Sequence, residues 1–410
     1  MCRAQPRHEG GKLAIAVAQA RRAGTAQPDY LILGLVLGLV VLGLIMVYSS
    51  SFAISLLAHG TANYFVLRQA LWATIGIALM LALMQLDYRW LRAVSPLLML
   101  GAIVLLMAVL VPGVGVERNG AQRWIALGPL PPLQPSEFAK LALIIYVAAW
   151  LSGKDTYVRS FALGFVPFVT MVGIVAGLIL LEPDMGTAAV LVLITVTLFF
   201  IAGASLTHLM ALMGIGGIAA TVLIMTAGYR ADRLFAFLRA EDDPSGVGFH
   251  TIQLLIALGS GGISGLGLGA SRQKFFYIPS AHSDGIFAVV GEELGFIGAM
   301  GVLLLFAVLM YRGFRVVLRS RDDFGALLAT GIICWIAYQA LVNVGGVSRA
   351  IPLTGIPMPF LSYGGSALAS LLAAVGILLS VSRHANAPPA VERQDRRKKT
   401  SRVAGSRGVR

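Results

Sequence analysis

Long stretches of almost uninterrupted apolar residues recur along the chain, each closed by a short polar or glycine- and proline-bearing break. A helix needs about 20 mainly apolar residues to cross a bilayer, whereas a barrel strand would show alternation over about ten. Windows of that helical length place ten spans near 30–50, 65–86, 93–111, 137–152, 161–181, 186–203, 208–228, 284–311, 324–343 and 361–382. The pattern predicts an all-α, polytopic membrane protein. Two breaks exceed what a connection needs, 112–136 and the stretch from 229 to 283, and function is expected there. The second would be a large extracytoplasmic loop between helices 7 and 8.

Composition strengthens this picture. The 410 residues are 57% hydrophobic and only 12% charged, with a mean hydropathy of +0.82, which excludes a water-soluble enzyme fold. The net charge of +13 sits mostly in the tails: residues 1–29 carry five Lys/Arg against two acids, and 383–410 carry nine against two. With both termini placed inside, the tails and inner loops hold 22 of the 32 Lys/Arg and the outer loops eight, so both termini are predicted to be cytoplasmic. Basic tails beside apolar spans read as anchors at an anionic leaflet, not as nucleic-acid arms. The expected organisation is a basic tail over 1–29, one ten-helix domain over 30–382, and a disordered basic tail over 383–410. The N-terminal tail lacks the apolar core and cleavage site of a signal peptide, so the first apolar run should remain as a span. Cys2 and Cys334 supply neither a disulfide framework nor a metal cluster.

Ionisable residues in or near spans need partners or a purpose, because each costs about 2.5 to 3.5 kcal/mol at a helix centre. Three groups stand out. Gln134 to Lys140 opens the fourth span, with Ser136 as a plausible N-cap and Glu137 and Lys140 spaced to pair on one helix face. Glu182-Pro183-Asp184 forms a tight turn whose carboxylates would face water at the outer rim. Asp284 heads the eighth span, and Glu292 and Glu293 follow on neighbouring faces, so at least one should point into the bundle. The preceding loop, from Gly259, is rich in glycine and carries Arg272, Lys274 and His282, donors that suit phosphate. Gly265, Gly267 and Ala270 match a dinucleotide fingerprint only nominally, since no strand-turn-helix unit surrounds them.

Together these motifs resemble the FtsW/RodA family of cell-wall polymerases, the SEDS proteins. Five agree in order: NGAQRWIALGP from Asn119, QPSEFAK from Gln134, EPDMGT from Glu182, AHSDGIFAVVGEELG from Ala281 and TGIPMPFLSYGGS from Thr354. The form from Gly267 to Pro279 looks more like the division branch, FtsW, than the elongation branch. The resemblance implies a peptidoglycan glycosyltransferase that polymerises lipid II on the outer face of the bacterial cytoplasmic membrane during division, at the septum. It implies Asp284 as the catalytic carboxylate, and Arg123, Trp124, Gln134, Glu137, Lys140 and Asp184 as substrate-binding; the loop residues Lys274 and His282 join the substrate-binding set as donors suited to phosphate. It also implies a class B penicillin-binding protein as transpeptidase partner, alongside other division proteins. This chain departs from the family's pattern at Ser280, at Gly285 and over 344–350.

Forming a β-1,4 bond from an α-linked pyrophosphate donor requires inversion. Asp284 would either activate the acceptor hydroxyl as general base or hold a divalent cation such as Mg or Mn that steadies the leaving pyrophosphate. A lipid II flippase and a non-catalytic division scaffold are the alternatives: the first requires a polar path to both faces, the second tolerates loss of Asp284.

Overall fold

The computed structural model describes residues 27–386, apart from 119–120, 129, 154–156, 227, 245, 247 and 276. The basic tails therefore lie almost wholly outside the described residues, as do Asn119 and Gly120 of the first motif.

Each predicted span has a helix. In chain order these are α1 (Tyr30–His59), α2 (Tyr64–Gln85), α3 (Trp90–Leu110), α4 (Pro135–Leu151), α5 (Val166–Leu181, preceded by one π turn, Phe161–Phe165), α6 (Met185–Ile201) and α7 (Leu206–Thr226). After α8 (Gly228–Leu238) and α9 (Phe249–Ser260) come α10 (Ile286–Arg319), α11 (Asp323–Val347) and α12 (Gly365–Ala385). Among the described residues eight helices, α5 with its π turn included, are long and apolar enough to cross a membrane. α4 and α6 have 17 residues each, about 26 Å of rise, just short of the usual hydrocarbon core.

α12 forms the centre, with 94% of its apolar window buried. Lipid tails are as apolar as leucine, so membrane helices associate through close contact and polar pairing, which small residues permit. A Cβ on Gly376 of α12 would fall 2.5 Å from the carbonyl of Met80 on α2. Gln69 of α2 spans the same interface, donating to the Ser362 carbonyl at 3.1 Å and accepting from Gly364 N at 3.2 Å. By contrast, α7 has no buried residue. It is held over its first turns, where His208 lies 4.9 Å from the Phe165 ring and Leu209 and Leu212 pack against the core.

The two long breaks are structured. Residues 112–136 hold three antiparallel strands, β1 (Gly115–Arg118), β2 (Ala121–Leu127) and β3 (Leu130–Leu133), in the order β1-β2-β3; the expectation of an all-helical chain is corrected to this extent. Residues 229–283 hold α8, a short 3₁₀ turn, Ala240–Asp242, and α9. The glycine-rich stretch after α9 is also ordered, because α10 is broken at Gly295, where φ is 69° and ψ is −169°. The break strands backbone groups that the loop satisfies: Leu266 N and Gly267 N donate to the carbonyls of Glu292 and Glu293, and Phe296 N and Ile297 N donate to those of Gly262 and Ile263. This apposition requires glycine, since a Cβ on Gly265, itself at positive φ, would sit 2.2 Å from the Glu293 carbonyl oxygen.

Candidate active site

Asp284 ends the turn that leads into α10 and is half-buried. It lines a cleft of about 170 Å³ together with Asp232 and Arg233 of α8, His250 and Thr251 of α9, and Leu353 and Gly355. Burial pushes its carboxyl above the usual aspartate range, against the pull of His250 and Arg233. Burial likewise holds the His250 imidazole below its ordinary value. A carboxyl that ionises late, beside a guanidinium and an imidazole, can take a proton from a hydroxyl while an anion is held next to it. Sequence reasoning missed Arg233 and His250; their signal was a charged residue on the amphipathic α8 and a lone imidazole on the otherwise apolar α9.

The far wall of the cleft is the extended segment 352–358, whose carbonyls are held from several sides. Arg233 Nη1 donates to Thr354 O at 3.2 Å. Asn343 on α11 donates its amide to Ile356 O at 2.8 Å and to the backbone carbonyl of Asp284 at 2.9 Å. Gln339, one turn earlier, donates to Pro357 O at 3.0 Å. The Gln339 carbonyl oxygen in turn accepts from Trp335 Nε1 at 2.8 Å and Lys140 Nζ at 3.4 Å, and Lys140 pairs with Glu137 at 2.8 Å. Glu137 and Lys140 are both buried, so the local ion pair anticipated from their spacing forms, and it is tied through Gln339 to the wall of the Asp284 cleft. The N-cap position of α4 is Gln134, with Pro135 beginning the helix; Ser136 is not the cap, and its buried hydroxyl has no partner among the described residues.

On the other side of this wall is the second group. A Cβ on Gly186 would lie 2.9 Å from Ile356 and 3.1 Å from the Thr354 carbonyl, so the start of α6 sits directly against the segment. Asp184 caps α6, accepting from Thr187 N at 3.1 Å and Thr187 Oγ1 at 2.9 Å, and also accepts from Gln134 Nε2 at 3.3 Å. Arg123 of β2 donates through Nε to Glu182 O at 3.0 Å and through Nη2 to Pro183 O. Trp124, its neighbour, is half-buried and pairs across the sheet with Val116. The expectation that Glu182 and Asp184 face water is wrong: they are 0% and 6% exposed. Burial, reinforced by Asp184 and opposed by Arg123, pushes the Glu182 carboxyl up to about 8.

Lys274 needs a different role from the one expected. Its ammonium is 1% exposed and is bound to Glu293 at 2.8 Å, Gly269 O at 2.7 Å and Ser49 Oγ at 3.1 Å, which leaves it no access to a phosphate; Arg233 is the cation that lines the cleft. Glu292 and Glu293 both point inward, Glu292 accepting from Arg272 N at 2.8 Å and Gln273 N at 3.3 Å. Arg272 itself is exposed. His282 is held between the rings of Phe65 and Tyr363, at 4.7 and 5.4 Å. Among the described residues no three His, Cys, Asp or Glu side chains come together as metal ligands, but Asp232 and Asp284 line one cleft, a carboxylate set that suits a cation shared with a substrate phosphate.

A family model described as cell cycle protein, FTSW_RODA_SPOVE, matches residues 29–387. Stage V sporulation protein E of Bacillus subtilis (strain 168) is 46% identical over 359 residues, 87% of this chain and 97% of that one. A probable peptidoglycan glycosyltransferase FtsW of Trichlorobacter lovleyi is 42% identical over 361 residues, 87% of this chain and 93% of that one. The fold matches, with a TM-score of 0.72 and 29% identity, a solved chain described under structural coordination of polymerization and crosslinking by a peptidoglycan synthase complex; the match covers 87% of this chain and 98% of that one.

Proposed function

The chain belongs to the FtsW/RodA/SpoVE cell cycle protein family, and on that premise we propose that it is a peptidoglycan glycosyltransferase that polymerises lipid II at the Asp284 cleft, with inversion at the anomeric carbon. The observation that carries this reading is the cleft itself: a late-ionising carboxyl lines the same space as Arg233 and His250, on a backbone fixed by Asn343. The ionised Asp284 takes the proton from the acceptor sugar's 4-hydroxyl as that oxygen attacks the anomeric carbon. The bond from that carbon to the pyrophosphate breaks, and the departing anion is met by Arg233. The donor's polyprenyl chain reaches the site from the bilayer along the open face of α7, a helix with no buried residue.

Both termini lie in the cytoplasm, the cleft opens outside, and the protein acts at the division septum with a class B penicillin-binding protein that crosslinks the new strand. Asp284 and Asp232, which line the same cleft, would hold a divalent cation shared with the donor's pyrophosphate, and it would offset the charge of the leaving group; chelation should then lower the rate without altering the thermal stability of the substrate-free protein.

The test is polymerisation of lipid II by the protein with its transpeptidase partner, wild type against Asp284→Ala and Asp284→Asn, with folding checked and glycans resolved by length. Long uncrosslinked glycan from wild type alone supports the reading. Glycan from the folded Asn variant at the wild-type rate rejects Asp284, and none from any form, in an intact complex, moves the reading to flipping or scaffolding.

A further inference from the structure

At the end of the bundle where the two chain ends emerge there is a second, larger pocket of about 470 Å³, lined by Asp29, Arg312, Arg315, Arg319, Ser382 and Asn386, among others. Its walls are fastened to one another. Asp29 N donates to Ser382 Oγ at 3.0 Å, Asn386 Nδ2 donates to Gln27 O at 3.1 Å, and Arg312 donates to Asp29 Oδ2 through Nε at 3.1 Å and Nη2 at 2.6 Å. Asp29 is further committed to capping α1, accepting from Leu31 N at 3.1 Å and Ile32 N at 3.4 Å.

The charge of this pocket does not balance. Arg312, Arg315 and Arg319 follow one another at three and four residues, so they share one face of α10. Asp29 answers only the first. Arg315 has its guanidinium 6.0 Å from the Tyr311 ring, and neither it nor Arg319 has a carboxylate partner among the described residues. The rest of the chain supplies little to answer them: residues 1–26 contain a single acid, Glu9, against five basic residues, and 387–410 contain Glu392 and Asp395 against eight. Two adjacent guanidiniums on one helix face repel unless an anion lies between them, and tails this rich in basic residues favour an anion from outside the protein.

Beside the pocket, the outer faces of the same helices are apolar and exposed, at Tyr30 and Leu31 on α1 and at Phe314 and Leu318 on α10. An anion whose tail lies against such a surface is a lipid, not a free ion. We propose that this pocket binds the headgroup of an acidic phospholipid, its phosphodiester held by Arg315 and Arg319 and its acyl chains lying along α1 and α10. The site lies away from the Asp284 cleft and does not depend on the reaction proposed there.

The test uses the full chain in nanodiscs of phosphatidylcholine alone, of phosphatidylcholine with phosphatidylglycerol, or of phosphatidylcholine with inorganic phosphate in the buffer. Retained phosphatidylglycerol is counted by native mass spectrometry after release into neutral detergent, and the thermal midpoint is followed in each disc. The wild type is expected to retain phosphatidylglycerol, and Arg315→Gln/Arg319→Gln to lose about 30-fold in apparent affinity, roughly fivefold for each arginine. Arg315→Lys/Arg319→Lys, which keeps the charge, should retain most of the binding. A full chain with Arg396, Arg397, Lys398 and Lys399 changed to Gln should bind like wild type. The proposal is overturned if the Gln pair binds like wild type, if the Lys pair loses as much as the Gln pair, if only the tail variant loses lipid, or if inorganic phosphate raises the midpoint as much as phosphatidylglycerol does.

Discussion

Asn343→Leu is the sharpest test of how the cleft is held. The side chain is 3% exposed, and its amide reaches two carbonyls at once, that of Asp284 at 2.9 Å and that of Ile356 at 2.8 Å. Leucine shares the branching of asparagine, with bulkier methyls, but donates nothing, so two backbone acceptors lose their donor. Each unpaired buried acceptor costs about 1–3 kcal/mol, which gives roughly 2–6 kcal/mol if neither is rescued by water. The effect on chemistry is separate: Asp284 loses the contact that fixes its backbone, and a displacement of about 1 Å at a reacting group can cost about 100-fold in rate. Gln339→Leu is the control, because Gln339 holds the same wall through Pro357 but does not touch Asp284. The assay is the initial rate of lipid II polymerisation beside the thermal midpoint, for both variants. Asn343→Leu should lose far more rate than Gln339→Leu at a comparable loss of stability. Equal rate losses, or a stable Asn343→Leu protein polymerising at the wild-type rate, would refute the positioning role.

The remaining expectations rest on buried charge. Lys274→Met leaves the Glu293 carboxylate without its counter-ion and should cost about 3–5 kcal/mol, with much of it recovered in Lys274→Met/Glu293→Gln, read from thermal midpoints in detergent; no recovery would mean that the pair is not the source of the loss. Glu182, raised from 4.5 to about 8, contributes stability that is whole below about pH 4.5 and is lost as pH rises through about 8. Glu182→Gln should therefore flatten the wild type's decline between pH 5 and 9, a difference of about a few kcal/mol. The rate of polymerisation should rise with pH along a limb displaced above the ordinary aspartate value, because burial raises Asp284 and the base must be ionised. Arg233→Gln removes a charge that favours the carboxylate, so in the residual activity that limb should move to still higher pH; a move downward would contradict the assignment.

Much of the fold was legible because hydropathy dominates a membrane chain: each of the ten apolar windows holds a helix, though α1 and α10 run eight or nine residues past their predicted ends, to His59 and Arg319. What hydropathy cannot report is where the backbone departs from a helix within an apolar stretch. Gly295 follows the Glu292-Glu293 pair, which marks a buried polar site but not the positive φ by which Gly295 breaks α10. Only the glycines at 261–267, which close over the break, mark it from a distance, and in sequence they read as a flexible loop. The short sheet at 115–133 was hidden for the opposite reason, since its strands are four to seven residues long and all three carry prolines or charges.

The candidate site was half legible, and the missing half has a single physical cause. A carboxylate or lysine in an apolar run is conspicuous, so Asp284, Glu137, Lys140 and Asp184 could be named from sequence. What lies between them is the backbone of 352–358, whose carbonyls accept from Arg233, Asn343 and Gln339 and which has no ionisable side chain at all. That stretch joins the clusters: Arg233 and Asn343 hold it from the cleft, Gln339 carries it to the Glu137–Lys140 pair, and Gly186 brings the Asp184 cap against its back. Gln339 and Asn343 are polar residues four apart inside an apolar span, and that spacing was the available signal. Two amides buried on one face of a membrane helix are costly unless something is there to be bonded. Here the something is the wall of the cleft, so the charged groups distributed over α4, α6 and α8 are fixed relative to Asp284 through one uncharged segment.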